Sequence, residues 1–300
     1  MKLFRKKDDL YLSDKPPLTF GGWVLLLLTY AILFAWVFIV VWPIFQIIQA
    51  SFNGAQEQYI IVGGDTYEFS FRFFKVLFED THFLKWVQNT IFIAITTAVL
   101  TVIIVSFTGY AYSRYRFKGR KASLMAIMLI QTIPAFAGIT AYYTLHTIIV
   151  QAIGPMFTRQ MMLILIYSAG GIAGNTFILK GYLDSISMEL DEAAKIDGCS
   201  SIEVYRLIIM PIAKPMLSII ALWSFIGPFM DFMLPRILLA GNVEAYTLAA
   251  GLQTLIADIR TMQQPVFAAG GVLTAVPIVI MFALLQKNLI SGLAKGAVKG

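Results

Sequence analysis

Six stretches of this sequence stay apolar for more than 20 residues: about 22–48, 88–112, 122–149, 160–180, 209–235 and 266–286. A helix that crosses the hydrocarbon core of a bilayer needs roughly 20 mostly apolar residues. The chain meets that length six times, which predicts an all-α polytopic membrane protein with six transmembrane helices. Composition agrees, with 58% apolar and only 13% charged residues, where a soluble domain carries about a quarter charged. In such a chain the net charge of +6 is no sign of nucleic-acid binding. It fits Lys and Arg retained on the cytoplasmic side. The single cysteine, Cys199, excludes an intrachain disulfide framework and a cysteine-cluster metal site.

The polar, basic segment 1–21 precedes the first apolar run. That run is too long for a signal-peptide core and has no clear small-residue cleavage site after it, so it reads as an uncleaved first span. Residues 22–286 then form a single transmembrane domain, and 287–300 a short tail. With the N-terminus inside, sixteen of the 23 Lys and Arg fall in inside segments and six in outside ones, with Lys214 at a boundary. This asymmetry predicts cytoplasmic termini at both ends. RYRFKGRK, 114–121, is its strongest single signal, and a positive-inside loop accounts for it. The dipeptide Gly-Lys never occurs, so the chain has no phosphate-binding loop of the G-x-x-x-x-G-K-[ST] type. If transport is ATP-driven, a different chain must supply the ATPase.

One cytoplasmic insert, ELDEAAKIDG (189–198), packs four acids and a lysine into ten positions between apolar runs. It predicts a short helix over about 187–197. Glu189, Asp191 and Glu192 lie near its N-terminus, where the helix dipole favours anions. Asp191 and Lys195 are spaced as an i,i+4 pair. Leu190, Ala193 and Ala194 give a small apolar flank. Gly198 suits a helix stop, and Ser200 with Glu203 matches a capping box that opens a second helix leading towards Pro211. A solvated amphipathic linker would satisfy the same residues. A docking surface would use the alanines for close approach and the acids for ion pairs.

The spacing Glu192-Ala193-Ala194, three residues, Gly198, nine residues, Ile208, one residue, Met210, Pro211 resembles the EAA motif of ABC-importer permeases, E-A-A-x3-G-x9-I-x-L-P. Met210 replaces the Leu. NTIFIAITTAVLTVIIVSFTGYAYSRYRFKGR (89–120) is similar to the second span and following loop of carbohydrate permeases. AYTLAAGLQ (245–253) and GLAKGAVKG (292–300) resemble the smaller permease subunit of maltose-type importers, the MalG kind. The likeness covers most of 85–300.

The resemblance implies the type I importer permease fold and one half of a heterodimeric pore in the bacterial plasma membrane, surrounded by lipid. The implied partners are a MalF-like permease, two copies of a cytoplasmic ATPase that hold ATP and Mg, and an external sugar-binding protein. No cofactor is implied for this chain, which is not itself an enzyme. Glu192, Ala193, Ala194, Gly198, Ile208 and Pro211, in the loop 181–211, would couple to the ATPase. The tail Gly296, Ala297, Val298, Lys299 and Gly300 would reach between the ATPase subunits. Asn242, Tyr246, Thr247 and Gln253, in the loop between the last two spans, would face the binding protein. The implied cargo is maltose or maltooligosaccharide. Within the same class it could be raffinose, a galactooligosaccharide, an alginate fragment or glycerol phosphate.

Intramembrane polar residues are few. Asp231 lies in the fifth run, ~24 Å beyond Pro215 at 1.5 Å per residue, and so towards the outer end. It reads as a paired interfacial acid or as a pathway residue. Gly170 and Gly174 before Asn175 suit close helix packing. An ion-coupled secondary transporter would need acids or broken helices at mid-depth, and a membrane enzyme would need convergent acid, base or metal groups. His82 and His146 alone supply neither.

Overall fold

The computed structural model describes residues 19–61, 66–132 and 138–297, with side chains to 289. Helices dominate: α1 (Phe20–Phe52), α2 (Arg72–Glu79), α3 (Phe83–Arg114), α4 (Arg120–Ile130), α5 (Ile139–Ile153), α6 (Arg159–Asp184) and α7 (Glu189–Ile196). After them come α8 (Ser201–Glu203), α9 (Met210–Met230), α10 (Met233–Leu238), α11 (Leu248–Thr254) and α12 (Gln264–Ala297). Among the described residues the only extended pairing is an isolated antiparallel bridge between Asn53 and Phe69.

Contacts divide the chain into two units, Met1–Gln49 and Ala50–Gly300. Most of α1 belongs to the first. It is apolar on every side, and Trp23, Phe34, Trp36 and Phe38 are all exposed. An unrelieved apolar surface of this kind is what a helix needs in lipid.

In the second unit α3 is the central element and packs most extensively on α6 and α9. Its buried positions recur at helical spacing, from Phe83 and Trp86 through Ala94, Ala98 and Val105 to Gly109 and Ser113. Small residues on that face let neighbouring backbones approach, which stands in for the hydrophobic drive that lipid removes. At Gly109 the contact is tight: a Cβ there would lie 2.9 Å from Leu179 Cδ2.

The core falls into two clusters along α3, one towards its N-terminal end, outer in the orientation that the Lys and Arg asymmetry predicts, and one towards its C-terminal end, inner in that orientation. The outer one joins Phe73, Leu77, Trp86, Phe229, Leu248 and Leu252 among others. The inner one joins Val105, Tyr110, Leu179, Leu183, Ala194 and Ile209. At the outer end the segment before α2 is tied to the stretch before α12. Gln264 N–H donates to Gln58 O at 3.1 Å, Gln58 Nε2 to Arg260 O at 2.8 Å, and Tyr59 Oη to Ile259 O at 3.1 Å.

Two expected spans come out differently. The third stretch, 122–149, forms two helices, α4 and α5, rather than one. The sequence between them holds Pro134, a residue without an N–H to donate, and 133–137 lie outside the described residues. The fifth span starts earlier and stops sooner than 209–235: Ser201–Met230 is one continuous helical element. Within it Val204–Ile209 is π-helical, and Met210 N–H donates five residues back to Tyr205 O. Pro211 and Pro215 follow at once, and neither can donate to the ladder, so the widened turn and the prolines fall together. Among the described residues five helices are long and apolar enough to cross a membrane, and α5 is a shorter apolar helix.

Candidate functional site

The polar insert folds as a helix, a glycine turn and a second helix. In α7 the acids Glu189, Asp191 and Glu192 occupy the first turn and Lys195 the last, which complements the helix dipole at both ends. The helix ends in a complete Schellman motif: Cys199 N–H donates to Ala194 O at 2.9 Å and Gly198 N–H to Lys195 O at 3.1 Å. Gly198 has φ +91° with nothing within 4 Å of a built Cβ. Glycine is therefore required there by backbone conformation, not by space. Ser200 and Glu203 then form the capping box: Ser200 N–H donates to Glu203 Oε2 at 2.7 Å, and Glu203 N–H to Ser200 Oγ at 3.4 Å.

Burial sorts the motif residues into two faces. Glu192, Ala193, Lys195 and Ile196 are exposed, Ile196 at 86%. Ala194 is buried in the inner cluster, with Ile208 half-buried against it. Pro211 is exposed at the start of α9. Only one of the two alanines is therefore free for a close approach from outside. The other lets α7 sit close to its own bundle.

The buried side of α7 carries an acid. Asp191 Oδ2 lies 3.0 Å from Arg114 Nε, and the two side chains are 7% and 5% exposed. The i,i+4 spacing to Lys195 suggests a different pairing, but the inward position of Asp191 brings it to Arg114, at the end of α3. The guanidinium also donates to Leu183 O and Ser113 Oγ, both at 3.0 Å, and to Ile186 O at 3.3 Å. Nearby, Ser113 Oγ donates to Asp184 Oδ1 at 2.7 Å, and Lys180 pairs with the other oxygen of Asp184. A buried pair supplied with these extra hydrogen bonds is satisfied. Removing one partner of such a pair typically costs ~3–5 kcal/mol, because a buried charge is left unpaired.

α7 is thus held against the ends of α3 and α6 with its acidic edge exposed. Residues 104–295 match the family described as "Binding-protein-dependent transport system inner membrane component". The chain belongs to this family. The permease is 44% identical over 227 residues to the maltodextrin transport system permease protein MdxG of Bacillus subtilis (strain 168), covering 76% of this chain and 80% of that one. It is 38% identical over 284 residues to the galactooligosaccharides transport system permease protein GanQ of the same organism, covering 93% and 97%. Its fold matches a chain in the crystal structure of a bacterial ABC transporter involved in the import of alginate. That match has a TM-score of 0.73 at 21% identity and covers 91% of this chain and 99% of that one. The fold is thus that of an ABC-importer permease, and the chain is a membrane subunit with no catalytic role of its own.

The remaining predicted residues of the permease separate. In the loop before the last span, Tyr246 and Thr247 are buried, at 8% and 0% exposed. Tyr246 is part of the outer cluster, and both side chains are covered in this conformation. Asn242 is exposed and accepts from Ala245 N–H at 3.3 Å. Gln253 is half-buried. The AYTLAAGLQ block is instead a packing element. Leu248 N–H donates to Thr90 Oγ1 at 2.6 Å, and a Cβ at Gly251 would lie 2.1 Å from Trp86 Cδ2. Asp231 is hydrogen-bonded on both oxygens: Tyr167 Oη donates to its Oδ2 at 3.0 Å, and its Oδ1 accepts from Met233 N–H at 2.9 Å and Leu234 N–H at 3.2 Å. It ends α9 and starts α10. Gly296 and Ala297 close α12, so the helix runs well past 286. Val298, Lys299 and Gly300 lie outside the described residues.

Arg114 is the site residue that the sequence hides. It sits in the basic run 114–121 and there looks like any positive-inside charge. The usable signal was on the other side: Asp191 and Ala194 are three apart and share a helix face, so a buried small residue there implied a buried acid beside it.

Proposed function

We propose that the chain is the MalG-like half of a heterodimeric pore that imports maltose or maltooligosaccharides, driven by a separate ATPase. The observation that carries this reading is the exposed edge of α7, Glu192 with Ala193, on a helix fixed to the pore helices through Asp191. Small Ala193 permits close approach, and Glu192 offers a carboxylate to a partner arginine. The identity with a permease named for maltodextrin supports the cargo class.

In this reading a MalF-like chain completes the pore. Two ATPase copies, which hold the ATP and Mg, sit below it, and a sugar-binding protein delivers cargo from outside. Both termini are cytoplasmic, in line with the Lys and Arg asymmetry. Residues 22–286 form the permease domain, with 181–211 as its coupling loop and the tail Gly296 to Gly300 reaching towards the ATPase. Closure of the ATPase pair moves α7, and the pore helices follow as rigid bodies between inward-facing and outward-facing states. Asn242 and Gln253 in the last outer loop would meet the binding protein, and Asp231 braces the outer mouth.

A galactooligosaccharide cargo is the second reading, favoured by the similarity to GanQ over 93% of this chain. Uptake of labelled maltotriose and of a galactotriose by vesicles holding the complete transporter separates the two. Maltotriose uptake that competes with maltose supports the first. Uptake of the galactose trimer alone overturns the cargo assignment and leaves the permease role intact. Glu192→Lys should abolish uptake of either sugar and release the ATPase on purification. Unchanged uptake in that variant would overturn the coupling reading.

A further inference from the structure

We infer that the Arg114–Asp191 pair is the joint that passes displacement of α7 to α3, and that Arg114 is a positioning residue for coupling. The inference deepens the permease reading and rests on α7 being the helix that the ATPase moves.

Arg114 is the last residue of α3. Its side chain touches three other pieces of the inner end at once. Asp191 belongs to α7, Leu183 O to the last turn of α6, and Ile186 O to the link between α6 and α7. Pure packing could hold α7 in place, as Ala194 already does. A guanidinium fork adds direction, because its donors are fixed in a plane and each acceptor must stay in line. α7 therefore cannot slide or rotate against α3 without breaking hydrogen bonds to a charge that is shielded from water, and pulling α7 pulls α3.

A second contact fixes the far side of the glycine turn to the same helix. Tyr205, in the π-helical stretch, bonds through its hydroxyl to Ser106 Oγ at 2.8 Å, and its ring stacks on Phe107 at 4.9 Å between centroids. The two arms of the coupling loop thus both end on α3, 99 and 77 residues away in sequence. α3 packs on α6 and α9, so movement of its inner end is delivered to the centre of the bundle.

The test uses the whole transporter in vesicles and measures sugar imported per ATP hydrolysed. In Arg114→Met with Asp191→Leu, apolar side chains replace both charges together, so neither is left unpaired. Arg114→Lys keeps the charge and loses the planar fork. The expected result is an assembled complex with ATPase bound whose import per ATP falls about tenfold, within the usual range for coupling free energies. Arg114→Lys should show a smaller fall in the same direction. Assembled variants with an unchanged ratio overturn the inference. So does failure of both variants to assemble, since the pair would then be a folding brace alone. Glu192→Lys is the control for the underlying reading. If it releases the ATPase while the double variant stays fully coupled, only this inference fails. If Glu192→Lys changes nothing, the reading beneath it fails.

Discussion

At the outer end of α3, Trp86 is enclosed by apolar side chains and lies flat on Gly251, with its indole N–H donating to Val243 O at 2.8 Å. At the inner end Arg114 is enclosed to a similar degree, but by a carboxylate, two carbonyls and a hydroxyl. Volume holds the first joint and directed bonds hold the second. Packing resists any change of size but says little about which way a neighbour turns. A charged fork fixes orientation and is sensitive to loss of a single atom type. The outer end is built to stay shut around its own loop, and the inner end to hold one helix at a set angle while showing its acidic edge.

The most severe way to break the outer joint is Trp86→Ala. It should cost ~3–5 kcal/mol from lost burial and the cavity left behind, read as a lowered unfolding temperature of the purified complex. Hydrogen exchange at α7 should stay as in the parent, because the two clusters sit at opposite ends of α3. Asp191→Ala is the matching break at the inner end. About 3 kcal/mol is expected, the low end for losing one member of a buried pair, because Arg114 keeps two carbonyls and a hydroxyl. Here exchange at α7 should rise while the outer loop keeps its protection.

Smaller changes sharpen the inner end. Gly198→Ala should destabilise by ~1–2 kcal/mol, the cost of a left-handed conformation for a residue with a Cβ. Gly198→Asn should cost less, since asparagine tolerates that region better. A clash would penalise Asn more than Ala, so the order of the two variants distinguishes strain from crowding. Ser200→Ala should cost about 1 kcal/mol through loss of the cap and loosen only the start of the second helix, visible as faster exchange at 201–204.

The sequence showed what is local. The Gly198 stop, the Ser200–Glu203 box and the acidic first turn of α7 all rest on residues within five positions of one another, and each formed as the pattern required. Long apolar runs announced their spans for the same reason. The Arg114–Asp191 pair was hidden because its members stand 77 residues apart, and nothing in either neighbourhood names the other. Tyr246 and Thr247 looked suited to a partner because they are polar and lie in an outer loop. That loop is held by a different span, which its own residues do not reveal: Asn89 Nδ2 donates to Tyr246 O at 3.1 Å. The π-helical stretch before Pro211 was equally out of reach, since a widened turn leaves no pattern that a ladder of α-helical spacing would distinguish.

The central claim is that the outward edge of α7 is where the ATPase meets this chain, and it can be tested at one position. Ala193 is exposed and small, and its neighbour Ala194 is not available. A photo-crosslinking residue at position 193, irradiated in membranes that hold the full transporter, should join this chain to the ATPase. The same residue at position 194 should give no ATPase adduct. Crosslinks from 193 to lipid or to the partner permease, with none to the ATPase, would contradict the account.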